Sequence, residues 1–128
     1  MVLRNKRMRP HKKLDIWAEA MRLVKLVYRL TSDFPVAEKY GLVIQINRAA
    51  VSIMANIAEG AARESNKEYI HFLTISQGSL SEVDALFEIS YELNMLSIDN
   101  YNDVTVQIDK VSAMLTGLKK YRLSLQKS

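Results

Sequence analysis

Residues 42–62 read LVIQINRAAVSIMANIAEGAA. On a wheel at about 100° per residue, Leu42, Ile46, Ala49, Ile53 and Ile57 form one apolar face, flanked by Val43, Ala50 and Met54. Ile44, Val51, Ala55 and Ala58 cover much of the opposite side. The polar residues Gln45, Arg48, Ser52, Asn56 and Glu59 are confined to a strip about 80° wide. A surface helix of a monomer shows the reverse balance, and a helix apolar nearly all round is buried nearly all round. Four helices of one chain cannot shield one member so fully. This stretch therefore predicts an all-α protein in which a second copy covers what the first leaves open. The strip predicts a structural network of Arg48, Ser52, Asn56 and Glu59, with Arg48 and Glu59 as a buried charge pair that fixes register.

Upstream, Gly41 and the Thr31–Pro35 segment punctuate the chain, since Pro35 disfavours helical geometry at Phe34. Before them a first helix runs from about Leu14 to Leu30. Leu14, Trp17, Met21, Val24 and Tyr28 step by three and four as a heptad seam. Ile16, Ala20, Leu23, Val27 and Leu30 form a second stripe about 110° away, so this helix touches at least two neighbours. Residues 1–13 show no apolar period and are expected to be a flexible basic arm, leaving 14–128 as the single domain.

Downstream, Ser65 and Glu68 form a capping box that starts a third helix. Its period, through Tyr69, Leu73, Ser76, Leu80, Val83, Phe87 and Ser90, persists to about Leu96, interrupted at Gly78-Ser79 by an expected close contact or mild kink. Ser97–Asn100 reads as a turn with Asp99 as N-cap of a fourth helix carrying Val104, Ile108, Val111, Leu115, Leu118 and Leu123. The expected fold is an antiparallel up-down-up-down four-helix bundle assembling into a homo-oligomer.

Charge is segregated along the chain. Residues 1–13 carry +6, residues 14–109 carry −7 and residues 110–128 carry +5. In an up-down bundle both basic ends fall at one pole. Arg4, Lys6, Arg7, Arg9, Lys12, Lys13, Lys119, Lys120, Arg122 and Lys127 are the candidate phosphate-backbone contacts there. No aromatic residues interleave the basic segments, so binding to RNA or DNA would follow the backbone, with little choice of sequence.

The 128-residue chain has no Cys, which rules out disulfides and thiolate sites and suits a reducing cytoplasm. The basic N-terminus lacks a signal-peptide core, and no apolar run approaches the ~18 residues of a membrane span. Glu68 and His71 make one Glu-x-x-His pair, but the only other His is His11, so a di-iron set is incomplete. No phosphate loop and no nucleophile–base grouping is present. Glu82, Asp84, Glu88 and Glu92 read as a solvated face. The expectation is a protein with no catalytic residues, metal or cofactor. Two readings remain: a nucleic-acid-binding accessory factor, or a protein–protein scaffold.

The strings QINRAAVS (45–52) and IMANIAEG (53–60), with Leu14-Asp-Ile-Trp17, Phe34-Pro35, Tyr40-Gly41-Leu42 and Gly78-Ser79-Leu80-Ser-Glu82, resemble in order the family encoded in intervening sequences of bacterial 23S ribosomal RNA genes. The likeness spans residues 14 to 125 or so. Met54 stands where that family commonly has Pro, which puts local backbone geometry in question. The resemblance implies an antiparallel four-helix bundle and a pentameric barrel. It also implies likeness in fold to the accessory variability proteins of diversity-generating retroelements, basic oligomers that bind nucleic acid and a reverse transcriptase. For the intervening-sequence members it implies no particular biochemical activity.

Overall fold

The computed structural model describes residues 8–127 of the chain. Among them are four α-helices and no strand: α1 (Asp15–Thr31), α2 (Leu42–Ala61), α3 (Asn66–Glu92) and α4 (Ile98–Ser124), with short 3-10 turns at Pro10–Lys13, Val36–Glu38 and Leu125–Lys127. α1 packs on α2 and α4, and α3 packs on α2 and α4.

The helix ends follow local chemistry. Ser65 Oγ accepts from the Glu68 amide at 3.3 Å, one half of the expected capping box; the Glu68 carboxylate accepts no bond from the Ser65 amide in return. The cap of α4 is Ser97, whose Oγ accepts from the Asn100 amide at 3.1 Å, rather than Asp99, which lies inside the first turn near the positive end of the dipole. α3 stops at Glu92, short of the expected Leu96. Asn94 takes the left-handed conformation (φ 61°), and the Met95 and Asn94 amides donate back to the Ser90 and Tyr91 carbonyls. That arrangement closes a helix without further turns, and Asn tolerates it better than most residues.

One core runs between the helices. Ile16, Ala20, Leu23, Val27 and Leu30 of α1 are all buried, so the second stripe is the core face. The heptad seam instead lies at the flank: Leu14, Trp17 and Val24 are half-buried, while Met21 and Tyr28 are exposed. Opposite stand Ile46, Ile53 and Ile57 of α2, Leu73, Leu80, Val83 and Phe87 of α3, and Val104, Ile108, Val111 and Leu115 of α4. The two serines inside this core are paired: Ser76 Oγ donates to the Ile53 carbonyl at 2.8 Å and Ser90 Oγ to the Leu86 carbonyl at 2.7 Å, whereas the buried Tyr69 hydroxyl has no hydrogen-bond partner among the described residues. The close approach of α2 and α3 comes at Gly60, where a Cβ would sit 3.1 Å from both Phe72 Cβ and the Tyr69 carbonyl oxygen. Of the Gly78-Ser79 pair, where a close contact or kink was expected, Ser79 meets α2 at the Ser52 hydroxyl, 2.9 Å away, while a Cβ on Gly78 would meet nothing within 4 Å. Helix α3 runs unbroken through it.

Candidate nucleic-acid interface

The two basic segments do meet. Pro10–Lys13 forms a single turn, with the Lys12 amide donating to the Arg9 carbonyl at 3.0 Å, and packs against α1 and α2. The His11 ring stands edge-on to Trp17 with centroids 4.4 Å apart. Lys13, Leu14 and Asp15 border a hollow of about 400 Å³ whose other wall is Met114, Gly117 and Leu118 of α4. This end of the expected arm is therefore folded onto the bundle. Arg4, Lys6 and Arg7 lie outside the described residues, as does the side chain of Lys127.

The cations at this end differ in availability. Arg9, Lys12, Lys13 and Lys120 are exposed. Lys119 is half-buried, its Nζ donating to Gln77 Oε1 at 3.2 Å. Arg122 is half-buried too: its guanidinium lies 4.1 Å from the Tyr69 ring centroid, and its carbonyl accepts from Asn66 Nδ2 at 2.6 Å. Both side chains serve the packing of α4 on α3. Burial pushes the Tyr69 hydroxyl above the ordinary tyrosine range, with the Arg122 charge opposing that shift.

The turn joining α2 to α3 brings further charges to the same end, because Asn66 touches Arg122. They include two cations that reading by segments missed, Arg63 and Lys67, and three acids, Glu59, Glu64 and Glu68; Asp15 adds a fourth acid beside Lys13. The pole is basic on balance but not free of carboxylates. Its missed members were findable from the loop's place, since in the expected up-down bundle the turn after the second helix returns to the end where the first helix starts.

The polar strip of α2 is brought together only in part. Ser52 Oγ lies 2.9 Å from Ser79 Oγ, and Asn56 Nδ2 donates to the Ser52 carbonyl and hydroxyl at 2.8 and 3.0 Å. Ser79 was the partner not foreseen; its signal was the small Gly78-Ser79 pair. Arg48 and Glu59 do not pair. Eleven residues of helix separate them by about 16 Å, whereas Arg63, one turn beyond Glu59, ion-pairs with it at 2.7 Å. Arg48 is exposed, and so are Val51 and Ala55. The all-round burial expected of helix two is thus not met within one copy.

No helix among the described residues is long and apolar enough to cross a membrane. The family model described as 23S rRNA-intervening sequence protein matches residues 12–117. The chain belongs to that family. Among solved structures, it is similar to a crystal structure of a protein of unknown function from the S23 ribosomal protein family of Bacteroides thetaiotaomicron. The TM-score is 0.76 at 19% identity, covering 82% of this chain and 95% of that one. At that identity the likeness bears on the fold. No curated protein matches the chain. In this 23S rRNA-intervening sequence protein, α2 continues without a break through Met54, which is buried against the core.

Proposed function

We propose that this family member is a non-enzymatic, cytoplasmic, self-assembling helical bundle of up-down-up-down topology that binds nucleic-acid backbones through its basic pole. The observation that carries the reading is the juxtaposition of Lys13 with Met114–Leu118, which supports bringing Arg9, Lys12 and Lys13 to the end of α4 that carries Lys119, Lys120 and Arg122. Clustered Lys and Arg release counterions from phosphates, so affinity without base readout is the natural consequence. Assembly multiplies the effect. Several poles presented on one side, as in a pentamer, raise apparent affinity by avidity. The exposed apolar residues Tyr28, Val51 and Ala55 on adjacent helices support self-assembly, since monomers seldom leave such surface open.

The test is titration of structured RNA and duplex DNA at several salt concentrations against the intact protein and a variant lacking residues 1–12. Steep salt dependence, with a shallower slope in the truncated protein, is the expected result. No binding at low salt, or a slope untouched by the truncation, overturns it.

One observation favours a second reading. Lys119 and Arg122 are occupied by packing, and four carboxylates share the pole. A protein–protein scaffold, for example a partner of a reverse transcriptase, would need no free phosphate contacts and would show no salt-dependent RNA binding.

A further inference from the structure

From Glu68 to Asp109 the chain carries eight acidic residues and no Lys or Arg. Between α3 and α4 this stretch leaves a groove of about 300 Å³, with buried Leu80 and Ile108 as its floor and exposed Asp84 and Asp109 on facing banks. Glu88 and Glu92 continue the Asp84 bank in steps of four, about 6 Å apart along the helix, and both are exposed. Beside them the half-exposed rings of Tyr91 and Tyr101 bridge the two helices, stacked with centroids 4.6 Å apart and planes 5° from parallel. Ile98, three residues before Tyr101 on the same side of α4, is 50% exposed.

A merely solvated helix face mixes charges of both signs. Here like charges recur one turn apart and repel. The ion pairs among the described residues are Arg22–Glu19, Arg63–Glu59 and Lys110–Glu19, and none includes Asp84, Glu88, Glu92 or Asp109. Burial first, then the charges of Glu88, Asp84 and Glu92, push the Tyr101 hydroxyl above the ordinary tyrosine range, so all three carboxylates act on the ring pair. They do not converge on one point: no group of three or more His, Asp or Glu among the described residues is placed to hold a metal ion. The charge they call for is a row of cations spread over about 12 Å, from Asp84 to Glu92.

That row selects the occupant. Nucleic acid and anionic lipid would be repelled. An extended peptide would find no backbone partners on two helices, whereas a helix satisfies its own backbone and repeats a side chain on one face every 6 Å or so. The tyrosine rings accept a guanidinium, and Ile98 accepts an apolar side chain. Within this chain the nearest match is Arg22, Lys25 and Arg29 of α1, which step by three and four, and Arg22 is already paired with Glu19.

We propose that the α3–α4 groove is the docking site for a basic amphipathic helix of another protein, with Arg or Lys at every fourth position along Asp84, Glu88 and Glu92 and an apolar residue against Ile98. The inference does not depend on nucleic-acid binding, which belongs to the other end of the molecule.

The experiment uses two labelled Ala-based helical peptides of about 16 residues, long enough for the groove at about 24 Å. One carries Arg at every fourth position with a Leu one turn beyond the last. The other has the same composition with the Arg residues spread around the helix. Fluorescence anisotropy measures their binding to the full chain, to a triple variant Asp84→Asn, Glu88→Gln, Glu92→Gln, and to a control Glu59→Gln, Glu64→Gln, Glu68→Gln. Circular dichroism checks that each protein stays helical, and Ile98→Ser repeats the test with the charges intact. The face-matched peptide is expected to bind the wild type at least tenfold more tightly than its isomer. The triple variant is expected to lose that preference, Ile98→Ser to weaken binding several-fold, and the control to keep both. Equal binding of the two peptides, a triple variant that keeps the preference, or a control that loses it overturns the inference. So does a fall in the mass of the triple variant by light scattering, which would mean that a second copy fills the groove.

Discussion

The guanidinium of Arg122 lies over the ring of Tyr69 at 4.1 Å, while the Arg122 carbonyl accepts from Asn66 Nδ2. A residue counted with the phosphate contacts thus fastens the end of α4 to the first turn of α3. Arg122→Ala should lower the unfolding free energy by about 1–2 kcal/mol through lost stacking and packing. Urea denaturation measures this. The same variant should leave the salt slope of RNA binding nearly unchanged, whereas Lys12→Ala with Lys13→Ala should flatten it.

Glu59 carries less weight than a buried pair would. Its partner is Arg63, and the two side chains are 55% and 41% exposed. Glu59→Ala should therefore change stability by no more than about 0.5 kcal/mol. A loss of several kcal/mol in the same denaturation measurement would mean that assembly buries this end of α2.

Two glycines should respond in opposite directions to the same substitution. Gly60→Ala must displace Phe72 Cβ and the Tyr69 backbone, each 3.1 Å from the new carbon, and should destabilise by about 1 kcal/mol or more despite the better helix former. Gly78→Ala meets nothing within 4 Å and should stabilise by about 0.5–1 kcal/mol. Melting temperatures of the two variants settle the comparison.

Glu19 makes folding pH-dependent. Gln107 Nε2 donates to its carboxylate at 3.1 Å and to its carbonyl at 2.9 Å, and Lys110 Nζ lies 3.4 Å away. The Gln107 hydrogen bond, opposed by burial and aided by Lys110 and Arg22, holds the Glu19 carboxyl below the ordinary value of 4.5. The folded state therefore binds this proton less readily than the unfolded chain. Its stabilising contribution is present above pH 4.5 and is lost as pH falls through the folded value. The melting temperature of the wild type should exceed that of Glu19→Gln near neutrality, and the gap should close on acidification.

Much of the fold was legible in the residues. The Ser65 cap, the Phe34-Pro35 break and the core period of α3 depend on chemistry within a few positions, and each appears where the sequence puts it. The Asn94 stop was missed because apolar Met95 and Leu96 prolong the apparent pattern, while the backbone decision rests on one residue in a left-handed conformation. Of the two stripes on α1 either could have been the core, since both keep heptad spacing. Only the packing of neighbours decides between them. At the candidate site, the Ser52–Ser79 contact and the pairing of Glu59 with Arg63 turn on distances between and along helices. A wheel shows direction but flattens length, and so it set Arg48 beside Glu59.

The chain has one tryptophan, Trp17, and the ring of His11 rests against it. The N-terminal turn therefore covers the molecule's only strong fluorophore. Lifting that turn would let water reach the indole and shift its emission to the red, with no label attached. Whatever engages the basic end can thus be followed optically: a partner that binds with the turn in place leaves the spectrum alone, and one that peels it away announces the rearrangement in the colour of a single residue.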